Sequence, residues 1–238
     1  MGLFDRHKKT AETIHDPAEQ NEPEQVKNGG AALGDADYLE GLRLFYSKHE
    51  SEAADTLRLA AELGNAKAQH FLAMMYANGT GVEQDDEKAA YWYHQTAERG
   101  DSEAQLTYAM LCALGKGVES DLAAACHWAR QALHAGNKKA LRTLGVIRDK
   151  AREEAVGELR AAMEAHAAQQ RAEAVRHLER AAELGSADAQ YAYAQMLETG
   201  RDVEQNEQAA ALWYAEAASQ GHEKAVRHLA EAPQEEQA

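Results

Sequence analysis

Proline is scarce in this chain of 238 residues: its three copies, Pro17, Pro23 and Pro233, all lie near the ends. Nothing between residues 24 and 232 therefore forbids a helix. Phenylalanine and tryptophan number three each and β-branched residues are few, so a β-rich fold lacks its usual material. The two cysteines, Cys112 and Cys126, are too few for a disulfide framework and read as reduced, small core residues. No apolar run approaches the roughly 18 to 20 residues of a membrane span. Cations are also in the minority, with 25 Lys and Arg against 40 Asp and Glu and a formal charge of −15. Nucleic-acid binding, in which cations neutralise phosphates, is therefore not expected. Arg6, Lys8 and Lys9 do cluster near the start, but no apolar stretch follows them, so they do not open a secretory signal. Arg6 also stands where N-myristoylation needs Ser or Thr. A cytoplasmic monomer is expected, without a membrane or nucleic-acid partner.

What the chain has in excess is alanine, 51 copies of the strongest helix former. Residues 1–33 and 232–238 are polar and poor in large apolar side chains, and read as disordered tails. Between them the sequence repeats. Ala66-Lys-Ala-Gln69, Gly79-Thr-Gly81-Val82, Ala89, Trp92 and Gly100 return 36 residues later as Ala104-Gln105, Gly115-Lys-Gly117-Val118, Ala125, Trp128 and Gly136. They return 121 residues later as Ala187-Asp-Ala-Gln190, Gly200-Arg-Asp-Val203, Ala210, Trp213 and Gly221. A block of two units, about 35–100, recurs as about 157–221.

Each unit reads as two antiparallel helices. Ala68, Leu72, Ala73 and Tyr76 share one face of the first helix. Gly79 ends that helix, Val82 folds back onto the hairpin, and Asp85 or Asp86 caps the next start. Ala89, Trp92 and Ala97 turn inward on the second helix until Gly100 stops it. One hairpin cannot bury both its faces, so neighbours must stack. The spacing predicts units at about 35–64, 65–100, 101–136, 157–185 and 186–221, with a cap at 222–231. Residues 137–156 predict an extra or elongated helix, bent or broken near Gly145 or Gly157. A single elongated domain over 34–231 is expected.

These motifs resemble the SEL-one-like repeat, a longer-looped relative of the tetratricopeptide repeat. The resemblance is strong over 65–136 and 186–221 and weaker over 35–64 and 157–185, where the glycine loop is missing. Asp202 replaces the second loop glycine, and Cys112 and Leu197 replace the hairpin tyrosine. The resemblance implies an all-α, right-handed solenoid of about five stacked helix-turn-helix repeats. It also implies a non-catalytic scaffold that binds a partner protein or peptide in a concave groove lined by first helices.

Chemistry finds little support. No His-Glu-x-x-His or Cys-x-x-Cys occurs among the eleven histidines and two cysteines, and His222 and His228 are six residues apart, so no metal or cofactor is expected. His94 and His127 read as partly exposed surface histidines beside the repeat tryptophans. The Gly-x-Gly pairs follow helices rather than strands and recur once per unit, so they are hairpin turns and not phosphate loops. Cys126 aligns with Ala90 and Ala211, a packing position. A hydrolase using Cys112 or a histidine pair is the rival from another class, and no catalytic residues are assigned.

By the family's geometry, the groove would be lined by Tyr38, Leu42, Phe45, His70, Met74, Leu106, Met110, Met163, Tyr191 and Gln195. Methionine adapts to varied partners and tyrosine offers wide contact area with a polar tip. The acidic surface favours a basic partner. A second role of the same class would be an inhibitor or immunity-type protein that occludes a basic toxin or enzyme.

Overall fold

The computed structural model describes residues 30–231, with side chains from Gly34 onward. The segments expected to be disordered, 1–29 and 232–238, lie outside the described residues. Residues 30–33, assigned to the first tail from sequence, instead open a helix. Every regular element among the described residues is helical. In order they are α1 (Gly30–Tyr46), α2 (Glu50–Glu62), α3 (Ala66–Asn78), α4 (Asp86–Glu98), α5 (Ser102–Leu114), α6 (Leu122–His134), α7 (Lys139–Ala167), α8 (Arg171–Glu183), α9 (Ala187–Thr199), α10 (Glu207–Ser219) and α11 (Glu223–Glu231).

The repeat is visible first at the helix starts. Asn65, Asp101 and Asn137 stand 36 residues apart, as do Ser186 and His222. Each precedes a first helix and offers a side-chain acceptor to an orphan backbone N–H: Ala68, Ala104, Lys139, Ala189 and Ala225 donate in turn. Second helices are capped by Asp85, Asp121 and Asn206 in the same way. First helices α3, α5 and α9 end on Gly79, Gly115 and Gly200 in the left-handed conformation.

Alanine sets how closely these helices approach. Ala53, Ala54, Ala60, Ala68, Ala73 and Ala90 are wholly buried and leave room for Leu57 and Leu72, also wholly buried. Val82 folds back onto this core as expected from sequence, and Trp92 packs against it while half-buried. A second link joins successive hairpins. Gln69 donates through Nε2 to the Ala61 carbonyl, Gln105 to Ala97 and Gln190 to Ala182, at 3.0, 3.1 and 3.1 Å. Each glutamine is buried and adds a second donor to a carbonyl near the end of the preceding second helix, which already accepts from the backbone N–H of Gly64, Gly100 or Gly185.

At Gly81 and Gly117 conformation and space both favour glycine. Gly117 has φ +70°, and a Cβ there would stand 1.9 Å from the Asp86 carbonyl oxygen of the preceding repeat. Asp202, which replaces the equivalent glycine, adopts the same left-handed conformation at φ +62°. Its carboxylate lies 3.5 Å from Arg171 and 3.9 Å from Arg201.

The region between the two sequence blocks departs from expectation. Asn137 starts a first helix in register with its predecessors, but no loop and no second helix follow. Instead α7 runs unbroken for 29 residues and becomes the first helix of the next hairpin, completed by α8. Glu158 and Glu154 of α7 meet His177 and Arg180 of α8 at 2.6 and 3.2 Å. The division at 156/157 read from sequence is therefore absent, and neither Gly145 nor Gly157 interrupts the helix. Nothing lies within 4 Å of the space a Cβ would take at either one. The chain also separates into two compact units, 1–144 and 145–238, where one domain was expected. The division falls in the repeat that never makes its second helix.

Candidate protein-binding face

The first unit contains Tyr38, Leu42, Phe45, His70, Met74, Leu106 and Met110. The second contains Met163, Tyr191 and Gln195. They do not behave alike. Tyr38, Met74 and Met110 occupy one register position, 36 residues apart, on α1, α3 and α5. Met74 is 36% and Met110 48% exposed, and Tyr38 is half-buried against the core. Burial, with Tyr46 nearby, raises the Tyr38 hydroxyl above the ordinary tyrosine range, so it stays a neutral donor.

Around this ladder the other candidates are partly spent on packing. Phe45 meets Phe71 edge-on at 4.9 Å, and both pack against the core while half-buried. Leu42 is half-buried, one turn from Tyr38. His70, half-buried, stands edge-on to Tyr93 at 5.5 Å. Leu106 does not belong to the face. It is 7% exposed and packs with Ala132 and Ala140, so the start of α7 covers it. Leu114, which sequence reasoning passed over, is 67% exposed one turn beyond Met110. Its signal was available, since Leu42, Asn78 and Leu114 share one register position.

In the second unit the candidates divide. Met163 is 69% exposed on α7. Tyr191 stacks on His222 at 4.7 Å, and its hydroxyl accepts from Gln195 at 3.1 Å. His222 also faces Asp188 at 3.4 Å, while His228 packs on Tyr214 at 3.9 Å and faces Glu198 at 3.3 Å. Tyr191 thus serves to dock α11 against α9 and α10. The two histidines address different carboxylates, and among the described residues no group of three His, Cys, Asp or Glu could hold a metal ion.

The remaining chemical candidates are buried. Cys112 is 1% exposed, and burial pushes its thiol up to about 12 despite a hydrogen bond with Tyr108. That is opposite to what a nucleophilic cysteine needs at neutral pH. His94, expected at the surface, is buried in an aromatic cluster with Tyr108 and Trp128, ring centroids 4.8 and 5.5 Å away. Two rings on adjacent elements enclose it where a solvent-facing side chain was read. Among the described residues, no helix is long and apolar enough to cross a membrane.

The comparisons fit this architecture. The Sel1 repeat model matches residues 66–101, 102–137, 167–186 and 187–222. The first two and the last matched segments each take in one full hairpin, and the third covers α8. Similar solved structures include a protective antigen of uropathogenic Escherichia coli displaying an SLR fold, 24% identical over 85% of this chain and 49% of that one, with a TM-score of 0.46. A Sel1 repeat protein from Oxalobacter formigenes is 28% identical over 87% of this chain and 58% of that one, with a TM-score of 0.43. An immunity protein from Pseudomonas aeruginosa is 23% identical over 81% and 68%, with a TM-score of 0.37. The chain spans about half the length of the first two. Sel1 repeat proteins generally mediate protein–protein interaction. With repeats matched over more than half of its residues, the chain belongs to the Sel1 repeat family.

Proposed function

We propose that this chain is a non-catalytic scaffold whose first unit holds a segment of another protein on the face formed by α1, α3 and α5. The observation that carries this reading is the ladder of Tyr38, Met74 and Met110, extended by Leu114. Large apolar side chains left in water at the same register of successive repeats make a continuous strip rather than scattered exposure. Unbranched methionines let the strip mould to its ligand, and the half-buried tyrosine fixes one end. The formal charge of −15 supports a basic partner, attracted at long range and held less well as salt rises.

The double substitution Met74→Glu and Met110→Glu tests this reading. We expect partner capture to fall at least tenfold, with helical circular dichroism and melting temperature nearly unchanged. A matched fall in stability would make the methionines part of the core. Undiminished capture would place the interface elsewhere. Assaying the captured partner for loss of its own activity then separates a holding scaffold from an inhibitor.

A further inference from the structure

We propose that residues 2–9 of this same chain dock on the Tyr38–Met74–Met110 face as a tethered internal ligand. The inference rests on the reading that this face binds polypeptide. The face has two chemical parts. One is the apolar ladder. The other is a negative margin, because Met74 and Met110 each lie one turn before the C-terminal ends of α3 and α5. The last carbonyls of a helix carry the negative end of its dipole. The loops that follow expose Glu83 and Glu119, while Lys116 is engaged by Asp86 at 3.1 Å.

Residues 2–9 carry the complementary pattern. Leu3 and Phe4 are adjacent apolar side chains, followed by Arg6, Lys8 and Lys9 against the single Asp5. In a chain of charge −15 this short stretch is net positive. Leu3 and Phe4 match the exposed Met74, Met110 and Leu114. The three cations match the helix ends and the two loop glutamates.

The tether permits the contact. Residues 10–29 separate the basic stretch from Gly30, the first residue of α1, and twenty residues reach at most about 65–70 Å. The 17-residue α1 is only about 25 Å long. At an effective concentration of about 1 mM, a segment with an intrinsic Kd of about 100 µM occupies the face about nine-tenths of the time. It would weaken any outside ligand about tenfold. An arriving partner must therefore displace it, which favours partners that combine apolar anchors with basic residues.

The test uses the full chain with 13C-methyl methionine. Two variants are compared with the wild type: Leu3→Ser with Phe4→Ser, and Arg6→Glu with Lys8→Glu and Lys9→Glu. We expect both to shift the Met74 and Met110 methyl resonances and to leave that of Met163 in place. A synthetic peptide of residues 2–9, titrated into the first variant, should restore the wild-type positions. It should bind wild type about tenfold more weakly, because the face is already filled. Unmoved Met74 and Met110 resonances in both variants, or equal peptide affinity, would overturn the proposal. If those resonances stay still while Met74→Glu with Met110→Glu abolishes partner capture, the internal ligand fails and the scaffold reading stands. If they move while capture survives that double substitution, the internal ligand stands and the scaffold reading fails.

Discussion

At the scale of single residues, the loop glycines show how one position can be fixed twice. Gly117 and Gly136 both have positive φ, +70° and +87°, so alanine is strained at either one. Only Gly117 also lies against backbone, the Asp86 carbonyl, whereas nothing stands within 4 Å of a Cβ at Gly136. We therefore expect Gly136→Ala to cost about 1–2 kcal/mol and Gly117→Ala about 3 kcal/mol or more, since the Asp86 backbone must move as well. Urea denaturation of the two variants measures the difference. Equal losses would mean that the loop relaxes freely away from its neighbour. Leu106 teaches the same lesson about position. It shares a register with half-buried His70, yet it is 7% exposed and packs with Ala132 and with Ala140 at the start of α7. A periodic pattern places a residue on a helix face, but what packs over that face in each repeat decides whether it is wet.

At the scale of elements, α7 marks where the repeat pattern stopped being informative. Recurrence at 36 and at 121 residues made α3 to α6, and α9 with α10, legible with their glycine stops and the cap at Asp85, because each of these signals has a local cause. Between residues 137 and 156 those signals vanish, and their loss resembled a boundary. The chain there is rich in strong helix formers, and nothing crowds its two glycines, so the helix continues. Gly145 and Gly157 are then merely poor helix residues in open positions. Gly145→Ala and Gly157→Ala should each stabilise the protein by about 0.5–1 kcal/mol, read as a higher urea midpoint with unchanged slope. A loss of stability would show that α7 needs its glycines for a distortion. The candidate face was legible in part. Met74 and Met110 followed from the family's geometry, whereas the stacking of Tyr191 depends on His222 at the start of the cap helix, a contact between elements that periodicity does not encode.

At the scale of the whole molecule, the ionisable groups of the interior set a limit in alkali. Burial pushes the Cys112 thiol up to about 12 and raises Tyr108, Tyr193 and Tyr214 above the ordinary tyrosine range. Each group holds its proton more tightly folded than unfolded. Its stabilisation is therefore complete below the unfolded value, about 8.5 for the thiol and 10 for the phenols, and is lost as pH climbs toward the folded one. We expect the melting temperature to drop by about 5–10 °C between pH 8.5 and 11. Tyrosinate absorbance should lag behind that of a denatured chain over the same interval. A flat stability profile would mean that these hydroxyls ionise without unfolding.

The buried glutamines of α3, α5 and α9 also have a direction. In each, the donor lies eight residues after its acceptor along the chain: Gln69 after Ala61, Gln105 after Ala97, Gln190 after Ala182. During synthesis the carbonyl always leaves the ribosome before the amide that will bind it. Each new hairpin can close at once onto the one already made, without waiting for sequence still to come. The bond that joins one repeat to the next thus also orders their assembly, from the first hairpin onward.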